Sequence, residues 1–246
     1  MLQNISLDHI LFLDIETVPQ QPTFKTLSES GKNHWIRKAE NLKKSETETP
    51  ADLYNRAGIY AEFGKIICIS AGVFSLQDNQ RIFRIKSFYG DDEVALLTSF
   101  AELLNQHFNK AHHLLCAHNG KEFDFPYLSR RMLINGIRLP SILNTATKKP
   151  WEVQHLDTME LWKFGDYKSY TSLKLLAKVL GIPSPKDDID GSMVNEVYYV
   201  QKDIDRIVEY CQKDVITLTN VLLRFHCEEL IKPANIEFKN LRKADV

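Results

Sequence analysis

The stretch that decides the fold is HILFLDIETVP, residues 9–19, in which a short apolar run ends at Asp14. A continuous apolar run of this length is typical of a buried β-strand. Side chains alternate across a strand, so Asp14 and Glu16 share one face while Ile15 faces the other way. Two carboxylates side by side at a buried strand end repel each other and resist desolvation. A folded protein rarely keeps such a pair without a cation, but this motif taken alone favours a strand end that reaches solvent.

The rest of the chain alternates between strand and helix patterns. Residues 20–62 are polar and charged and predict an insertion that is helical over residues 28–44 and an exposed loop over residues 45–50. Strands are predicted over residues 65–74, 82–88, 114–117 and 151–156, and helices over residues 91–108, 125–135, 172–180, 190–200 and 204–229. This order predicts an α/β fold with a mixed sheet flanked by helices, in a single domain over residues 1–246.

The bulk composition excludes several classes of protein. The chain has 246 residues, 43% of them hydrophobic and 26% charged, which is typical of a folded globular protein. The formal net charge of −1 gives no overall positive electrostatic field to attract nucleic acid, so nucleic-acid binding needs a local basic patch.

The four cysteines lack C-x-x-C spacing and are predicted to be reduced thiols. No apolar run is long enough for a membrane span, and the first residues lack a basic signal region, so a cytoplasmic location is expected.

Two further acidic motifs follow the first. In CAHNGKEFDFPYL, residues 116–128, Asp124 comes after a predicted strand and a Gly turn and starts a helix. Aspartate is a preferred helix N-cap, so this segment taken alone favours a capping role for Asp124. In YCQKDVITL, residues 210–218, Tyr210 and Asp214 are four residues apart and therefore lie on one face of a helix.

The three motifs together resemble those of a known family. Asp-x-Glu at residues 14–16, Asn-x-x-x-Phe-Asp at residues 119–124 and Tyr-x-x-x-Asp at residues 210–214 occur in the order of the DEDD exonuclease superfamily, tyrosine subtype. The resemblance extends over residues 11–224 and is to the proofreading exonuclease domain of family-B DNA polymerases in stand-alone form. The histidine subtype has a histidine five residues before the last aspartate, where this chain has Glu209.

The resemblance implies a ribonuclease H-like fold and a catalytic role for Asp14, Glu16, Asp124, Tyr210 and Asp214. It implies two divalent cations, Mg²⁺ or Mn²⁺, with the four carboxylates as metal ligands and the tyrosine orienting the attacking water. Oxygen ligands suit both metals. The expected activity is hydrolysis of phosphodiester bonds from the 3′ end of a single strand, with DNA preferred because the resemblance is to a proofreading domain.

The same resemblance implies three substrate contacts. The backbone of Thr17 would contact the terminal 3′-hydroxyl, and Asn119 and Phe123 would lie beside the terminal nucleotides. A turn residue is the alternative for Asn119, and a core residue is the alternative for Phe123.

Two stretches mix basic and aromatic residues, a composition that tracks phosphates and stacks on bases in single-strand binding proteins. The first contains Trp35 among Lys32, Arg37, Lys38, Lys43 and Lys44, and the second contains Lys148, Lys149, Trp151, Lys163, Phe164, Tyr167, Lys168 and Tyr170. A solvated helix face is the alternative for any one of these lysines. Four other acids are predicted to act as caps or turn residues instead of metal ligands: Asp157, Asp187, Asp188 and Asp190.

Three other functions remain open at this stage. One is an exoribonuclease with the same chemistry, since discrimination depends on a contact to the 2′-hydroxyl that the sequence does not locate. Another is a non-catalytic nucleic-acid-binding module on the same fold, against which the intact acidic set argues. The third is a nuclease subunit that depends on a polymerase or other repair partner.

Overall fold

The fold is built on one mixed β-sheet, seen in a computed structural model that describes residues 5–166, 169–183 and 189–239. Six strands form the sheet: β1 (Ile10–Pro19), β2 (Gly64–Gln77), β3 (Gln80–Tyr89), β4 (Leu114–Ala117), β5 (Leu156–Asp157) and β6 (Ile236–Phe238). Their spatial order is β5-β4-β1-β2-β3-β6. β1 is antiparallel to β2 and parallel to β4, so it lies inside the sheet.

Seven α-helices accompany these strands within the described residues: α1 (Glu29–Glu40), α2 (Glu93–His107), α3 (Asp124–Ile134), α4 (Thr158–Lys163), α5 (Leu173–Val179), α6 (Val194–Glu196) and α7 (Ile204–Phe225). The alternation of β1 divides the core between the two faces of the sheet. Leu13 and Ile15 pack with residues of α2 and α3, whereas Phe12 packs with residues of α7. Asp14 and Glu16 share the face of Phe12, so they point towards the α7 side.

The α/β fold class with a mixed sheet is confirmed, but β1 is longer than predicted. It does not end at Asp14: pairing with β2 continues from Asp14 opposite Ser70 to Pro19 opposite Gly64. The acidic pair therefore lies in the middle of a strand instead of at its end. The reason is that β2 supplies backbone partners along this whole length, which a local pattern of apolar residues does not reveal.

Other boundaries also differ from the prediction. The strand predicted over residues 151–156 is wrong except for its last residue, because residues 150–152 form a 3-10 turn that starts with a proline and only Leu156–Asp157 pair with β4. The helix predicted over residues 190–200 begins at Val194 and continues as a π-helical turn, Val197–Gln201. α7 ends at Phe225, and β6 was not predicted.

The insertion after β1 carries its own small core. The predicted helix is present as α1, where Ser28 Oγ accepts a hydrogen bond from the Gly31 N–H at 3.1 Å. Trp35 is fully buried among Ala39, Leu53 and Tyr54, and its indole N–H donates to the Pro50 carbonyl at 2.7 Å. The idea that this ring stacks on a base is therefore wrong, because it has no exposed face.

The structure also bears on the predictions for the cysteines and for a membrane span. Cys68, Cys116 and Cys211 are buried, Cys227 is exposed, and all four are free thiols. In the three described ranges, no helix combines the length and the apolar character needed to cross a bilayer. Tyr167, Lys168, Asp187 and Asp188 lie outside the described residues.

Candidate active site

Asp14 and Glu16 form the centre of an acidic cluster on β1. Their carboxylate oxygens and the Cys211 Sγ all lie within 4.8 Å of one another. Glu16 is only 7% exposed, and the Asp14 Oδ2 atom is buried and has no hydrogen-bond partner among the described residues. A buried carboxylate oxygen without a donor is costly, so this atom needs a cation or a donor from outside the chain.

An irregularity in the β1–β2 pairing lies next to this pair. Glu16 is opposite Cys68, but Thr17 is opposite Ile66, so Ile67 is the extra residue of a β-bulge. A bulge bends the strand and changes the direction of the next side chain. The bulge therefore lies between the acidic pair and the last residues of β1, which lead into the insertion.

Asp124 reaches the cluster from the start of α3. It is only 3% exposed, and its carboxylate accepts hydrogen bonds from its own N–H and from the N–H of Ile15 on β1. Burial and the charge of Asp157, opposed by the two backbone donors, together raise the pKa of Asp124 to about 7. The bond to Ile15 directs this carboxylate across to β1, which a simple N-cap of α3 would not require.

α7 brings Tyr210 and Asp214 to the same place. Its apolar stripe, which includes Cys211, Val215 and Leu218, is buried against the sheet. Tyr210 and Asp214 each precede one of these buried residues and lie at the edge of the stripe. The two side chains are hydrogen-bonded, and burial followed by the charges of Asp214, Glu16 and Asp14 raises the pKa of Tyr210.

The charges of Asp124 and Asp214 act on the Asp14 and Glu16 pair, but among the described residues only Asp14, Glu16 and Cys211 offer ligand atoms that all lie within 4.8 Å of one another. Burial raises the pKa of Asp14 well above its usual value, and the charges of Glu16, Asp214 and Asp124 raise it further. Burial also raises the pKa of Glu16, followed by the charges of Cys68, Asp214 and Asp124. Four carboxylates with this mutual repulsion do not all ionise at neutral pH unless positive charge is supplied.

The donor set fits divalent cations that prefer oxygen. Asp14, Glu16, Asp124 and Asp214 contribute carboxylates, and the unpartnered Asp14 oxygen is available as a ligand atom. Hard cations such as Mg²⁺ and Mn²⁺ take such ligands together with water and phosphate oxygens. The Cys211 thiol is a softer potential ligand next to these carboxylates. It donates a hydrogen bond of 3.4 Å to the backbone carbonyl of Asp14.

The three predicted substrate contacts lie around this cluster. Thr17 follows the bulge, and its side chain hydrogen-bonds the Tyr127 hydroxyl. Asn119 has a φ of 64° in the turn before α3, and its buried Oδ1 has no hydrogen-bond partner in the part of the chain that the structure describes. Phe123 is partly buried against the core, with its ring centroid 5.2 Å from that of Tyr127.

Two residues near the site have roles that the sequence did not predict in full. Cys211 lies against Asp14, a contact that depends on how α7 packs on β1 and that has no local signal. Asp157 was predicted as a cap, and it does cap α4 through the N–H groups of Met159 and Glu160. It also accepts from the N–H groups of Asn119 and Lys121, at 2.9 and 3.1 Å, and so fixes the turn that leads to Asp124.

The sheet order, the flanking helices and the convergent carboxylates define a ribonuclease H-like fold of the exonuclease type. Residues 59–237 match the family described as "predicted 3′-5′ exonuclease related to the exonuclease domain of PolB". The match covers most of the sequence, and the chain belongs to this family. Asp14 and Glu16 lie before the matched range, so the structure, not the family match, brings β1 into the site.

Solved structures with a similar fold include two with low sequence identity. The family B DNA polymerase from the hyperthermophilic archaeon Pyrobaculum calidifontis has a TM-score of 0.53 and 14% identity, over 89% of this chain and 24% of the polymerase chain. E. coli Exonuclease I in complex with a dT13 oligonucleotide has a TM-score of 0.43 and 11% identity, over 87% of this chain and 40% of that chain. This chain therefore spans about a quarter of the polymerase. No curated protein matches its sequence.

Proposed function

We propose that this chain is a metal-dependent 3′→5′ exonuclease of the tyrosine subtype that removes nucleotides from single-stranded nucleic acid, with DNA preferred. The observation that supports the proposal is that the charges of Asp124 from α3 and Asp214 from α7 act on the buried pair Asp14 and Glu16 of β1. The unpartnered Asp14 oxygen of that pair supports a bound cation instead of a structural network, because a structural network would satisfy it.

The carboxylates have separate tasks in this proposal. Asp14, Glu16 and Asp214 hold one cation, and Asp14 together with Asp124 holds the second. When bound, the cations activate a water molecule and stabilise the negative charge that develops on the departing oxygen. The chain contributes by fixing the ligands: the Ile15 N–H orients Asp124, and pairing with β2 holds Asp14 and Glu16 rigidly.

Tyr210 positions the attacking water in this proposal. Its raised pKa keeps the phenol protonated throughout the neutral range, so it acts as a hydrogen-bonding group and not as a base. The hydrogen bond with Asp214 fixes the ring beside a metal ligand. The Tyr210 hydroxyl would then be able to accept a hydrogen bond from a water bound beside Asp214.

DNA is preferred in the proposal because the family is related to a DNA polymerase exonuclease domain. Mg²⁺ or Mn²⁺ is proposed from the oxygen ligand set.

The decisive experiment incubates the purified chain with single-stranded DNA or RNA oligonucleotides that are labelled at the 5′ end and blocked or free at the 3′ end. With Mn²⁺, we expect a ladder of shortened DNA products from the free 3′ end, slower shortening of RNA, and no products in EDTA. Asp14→Asn should lower kcat by about a thousandfold or more, because metal ligation supplies several kcal/mol.

Asp8→Asn is the matched control, since Asp8 is exposed, precedes β1 and lies outside the cluster. Its rate should equal that of the wild type. Equal rates for Asp14→Asn and wild type, or products that survive EDTA, would show that the carboxylate cluster is not the catalytic centre.

A further inference from the structure

Three large aromatic side chains between residues 151 and 170 project into solvent. Trp151 is 77% exposed, Phe164 is 74% exposed and Tyr170 is 67% exposed. Exposed rings of this size cost solvation free energy and, when clustered, usually mark a binding surface. None of them is used by the catalytic cluster described above.

Each end of this surface carries a lysine held against a ring. Lys149 Nζ lies 5.3 Å from the Trp151 ring centroid, and Lys163 Nζ lies 4.3 Å from the Tyr170 ring centroid. Within the described part of the chain, neither lysine forms an ion pair. The charges are therefore free for phosphate groups. We call Lys149, Trp151, Lys163, Phe164 and Tyr170 the aromatic–lysine surface.

A cavity of about 600 Å³ connects this surface with the catalytic turn. Pro150, the neighbour of Trp151, and Gly165, the neighbour of Phe164, both line it. Asn119, Glu122 and Pro126, which flank Asp124 in sequence, line it as well. The cavity thus extends from the neighbours of Trp151 and Phe164 to the turn that leads to Asp124.

Four acids line the cavity, Glu122, Asp157, Glu160 and Asp166, beside three lysines, Lys121, Lys148 and Lys163. Asp157 is engaged by four backbone N–H groups, and Glu160 pairs with Lys121 at 2.7 Å. Lys148, which is exposed and lines the same cavity, adds another positive charge close to Lys149. Alternating rings and cations fit a chain of stacked bases and phosphates better than an apolar protein segment, for which the lysines have no partner.

The backbone at Phe164 adds an independent observation. Its φ of 45° and ψ of 35° lie in the left-handed region, which an aromatic residue adopts only at a cost. Glycine is the usual residue in this conformation at a helix end. Here the glycine stands one position later, at 165, and phenylalanine occupies position 164. A strained backbone that keeps an exposed ring points to a function for the ring.

We propose that the aromatic–lysine surface binds the substrate strand on the 5′ side of the nucleotides being removed, by stacking bases on Trp151 and Phe164 and pairing phosphates with the lysines. The inference rests on the exonuclease function proposed above. It assigns to the second basic and aromatic stretch of the sequence the role of holding the strand between cleavage steps.

The test measures binding separately from cleavage. Oligonucleotides of about four and about sixteen nucleotides, labelled at the 5′ end, are titrated in EDTA with the Asp14→Asn protein and followed by fluorescence anisotropy. Adding Trp151→Ala or Phe164→Asn should weaken binding of the longer strand at least about fivefold, because each stacked base contributes measurably to affinity. Binding of the shorter strand should not change.

Phe164→Asn also separates a binding role from a folding role. Asparagine tolerates the left-handed conformation, so the variant should melt at or above the wild-type temperature while it binds the long strand more weakly. Leu76→Ala is the control: Leu76 is 71% exposed on the β2–β3 hairpin, about 20 Å along β2 from Ser70, the residue opposite Asp14. It should leave the affinity unchanged.

The outcomes distinguish this inference from the proposed function. If the wild type cleaves DNA but Trp151→Ala and Phe164→Asn bind both lengths as Leu76→Ala does, the inference is overturned, and the surface is left for a protein partner. If the wild type cleaves nothing but the same variants lose long-strand affinity, the surface binds nucleic acid and the proposed activity is wrong.

Discussion

The hydroxyl of Tyr210 can be tested on its own, because removing one oxygen leaves the ring and the packing of α7 intact. We expect Tyr210→Phe to lower kcat about tenfold or more, which corresponds to the loss of one hydrogen bond that orients the attacking water. The melting temperature should change little. Rates measured over a pH series should fall by the same factor throughout, because the phenol stays protonated.

The control for this variant is Tyr199→Phe. The Tyr199 hydroxyl donates a hydrogen bond of 2.6 Å to the carbonyl of Pro19, the last residue of β1. Its removal should lower stability by about 1 kcal/mol without a tenfold change in kcat. A Tyr210→Phe enzyme as fast as Tyr199→Phe would exclude the role of the phenol in positioning water.

Asp124 gives a stability prediction with the opposite sign from its effect on activity. Burial raises its pKa from 3.8 to about 7. A carboxyl group whose pKa is raised on folding adds stability below its unfolded pKa and loses it as pH rises through the folded pKa. In EDTA the wild type should therefore lose stability between about pH 4 and about pH 7 relative to Asp124→Asn.

At pH 8 in EDTA, we expect Asp124→Asn to melt several degrees above the wild type, and the two to converge near pH 4. Thermal unfolding at these two pH values measures the difference, with Asp8→Asn as an exposed control that should follow the wild type. An Asp124→Asn protein that melts below the wild type at pH 8 would show that its carboxylate is stabilised when charged.

How far the sequence predicted these residues depends on the range of the signal. Asp14 with Glu16 and Tyr210 with Asp214 were recognisable because each pair lies within one element, where spacing fixes the shared face. The contact of Cys211 with Asp14 was not, because it depends on which turn of α7 packs on β1. The same reason explains why the sequence suggested base stacking for Trp35, whose burial depends on Leu53 and Tyr54 beyond an intervening loop.

At the level of elements, the sequence predicted strand and helix types better than their ends. β1 continues to Pro19 because β2 pairs with it, and β6 forms because three residues near the C-terminus find the edge of β3. Pairing of this kind joins residues far apart in sequence and leaves little local pattern. Conversely, α1 and α2 begin where Ser28 and Asp92 cap them, since capping is a local signal.

One element contact gives a prediction about stability. Arg131 of α3 forms a buried ion pair with Glu93 of α2 and also donates to the Ala61 carbonyl of the insertion, so it ties three segments together. Arg131→Ala leaves the Glu93 charge buried without its partner and should cost about 3–5 kcal/mol of unfolding free energy. Denaturant unfolding measures this.

Arg130→Ala is the matched control, because Arg130 is the exposed neighbour on the same helix. It should alter the unfolding free energy by no more than about 0.5 kcal/mol. Equal effects of the two substitutions would mean that the ion pair between α2 and α3 contributes nothing beyond helix propensity.

For the whole molecule, the acidic cluster that the proposed function needs also opposes folding, because its charges repel one another. Asp14 and Glu16 come from near the N-terminus, before the range that matches the family, while Asp214 comes from the last long helix. The sheet brings these segments together although the charges they carry repel each other. A cation that binds only the folded state removes this repulsion, so metal binding should stabilise the whole fold.

We expect millimolar Mn²⁺ to raise the melting temperature of the wild type by roughly 5–10 °C, the effect of a ligand at about a hundred times its Kd on a protein of this size. The shift should be larger at pH 8 than at pH 6, because burial raises the pKa values of the carboxyl groups and they must lose protons before they bind metal. Asp14→Asn should lose most of the shift and Asp8→Asn should keep it. A shift of the same size in Asp14→Asn would place the Mn²⁺ elsewhere on the chain and remove the stabilising role of the cluster.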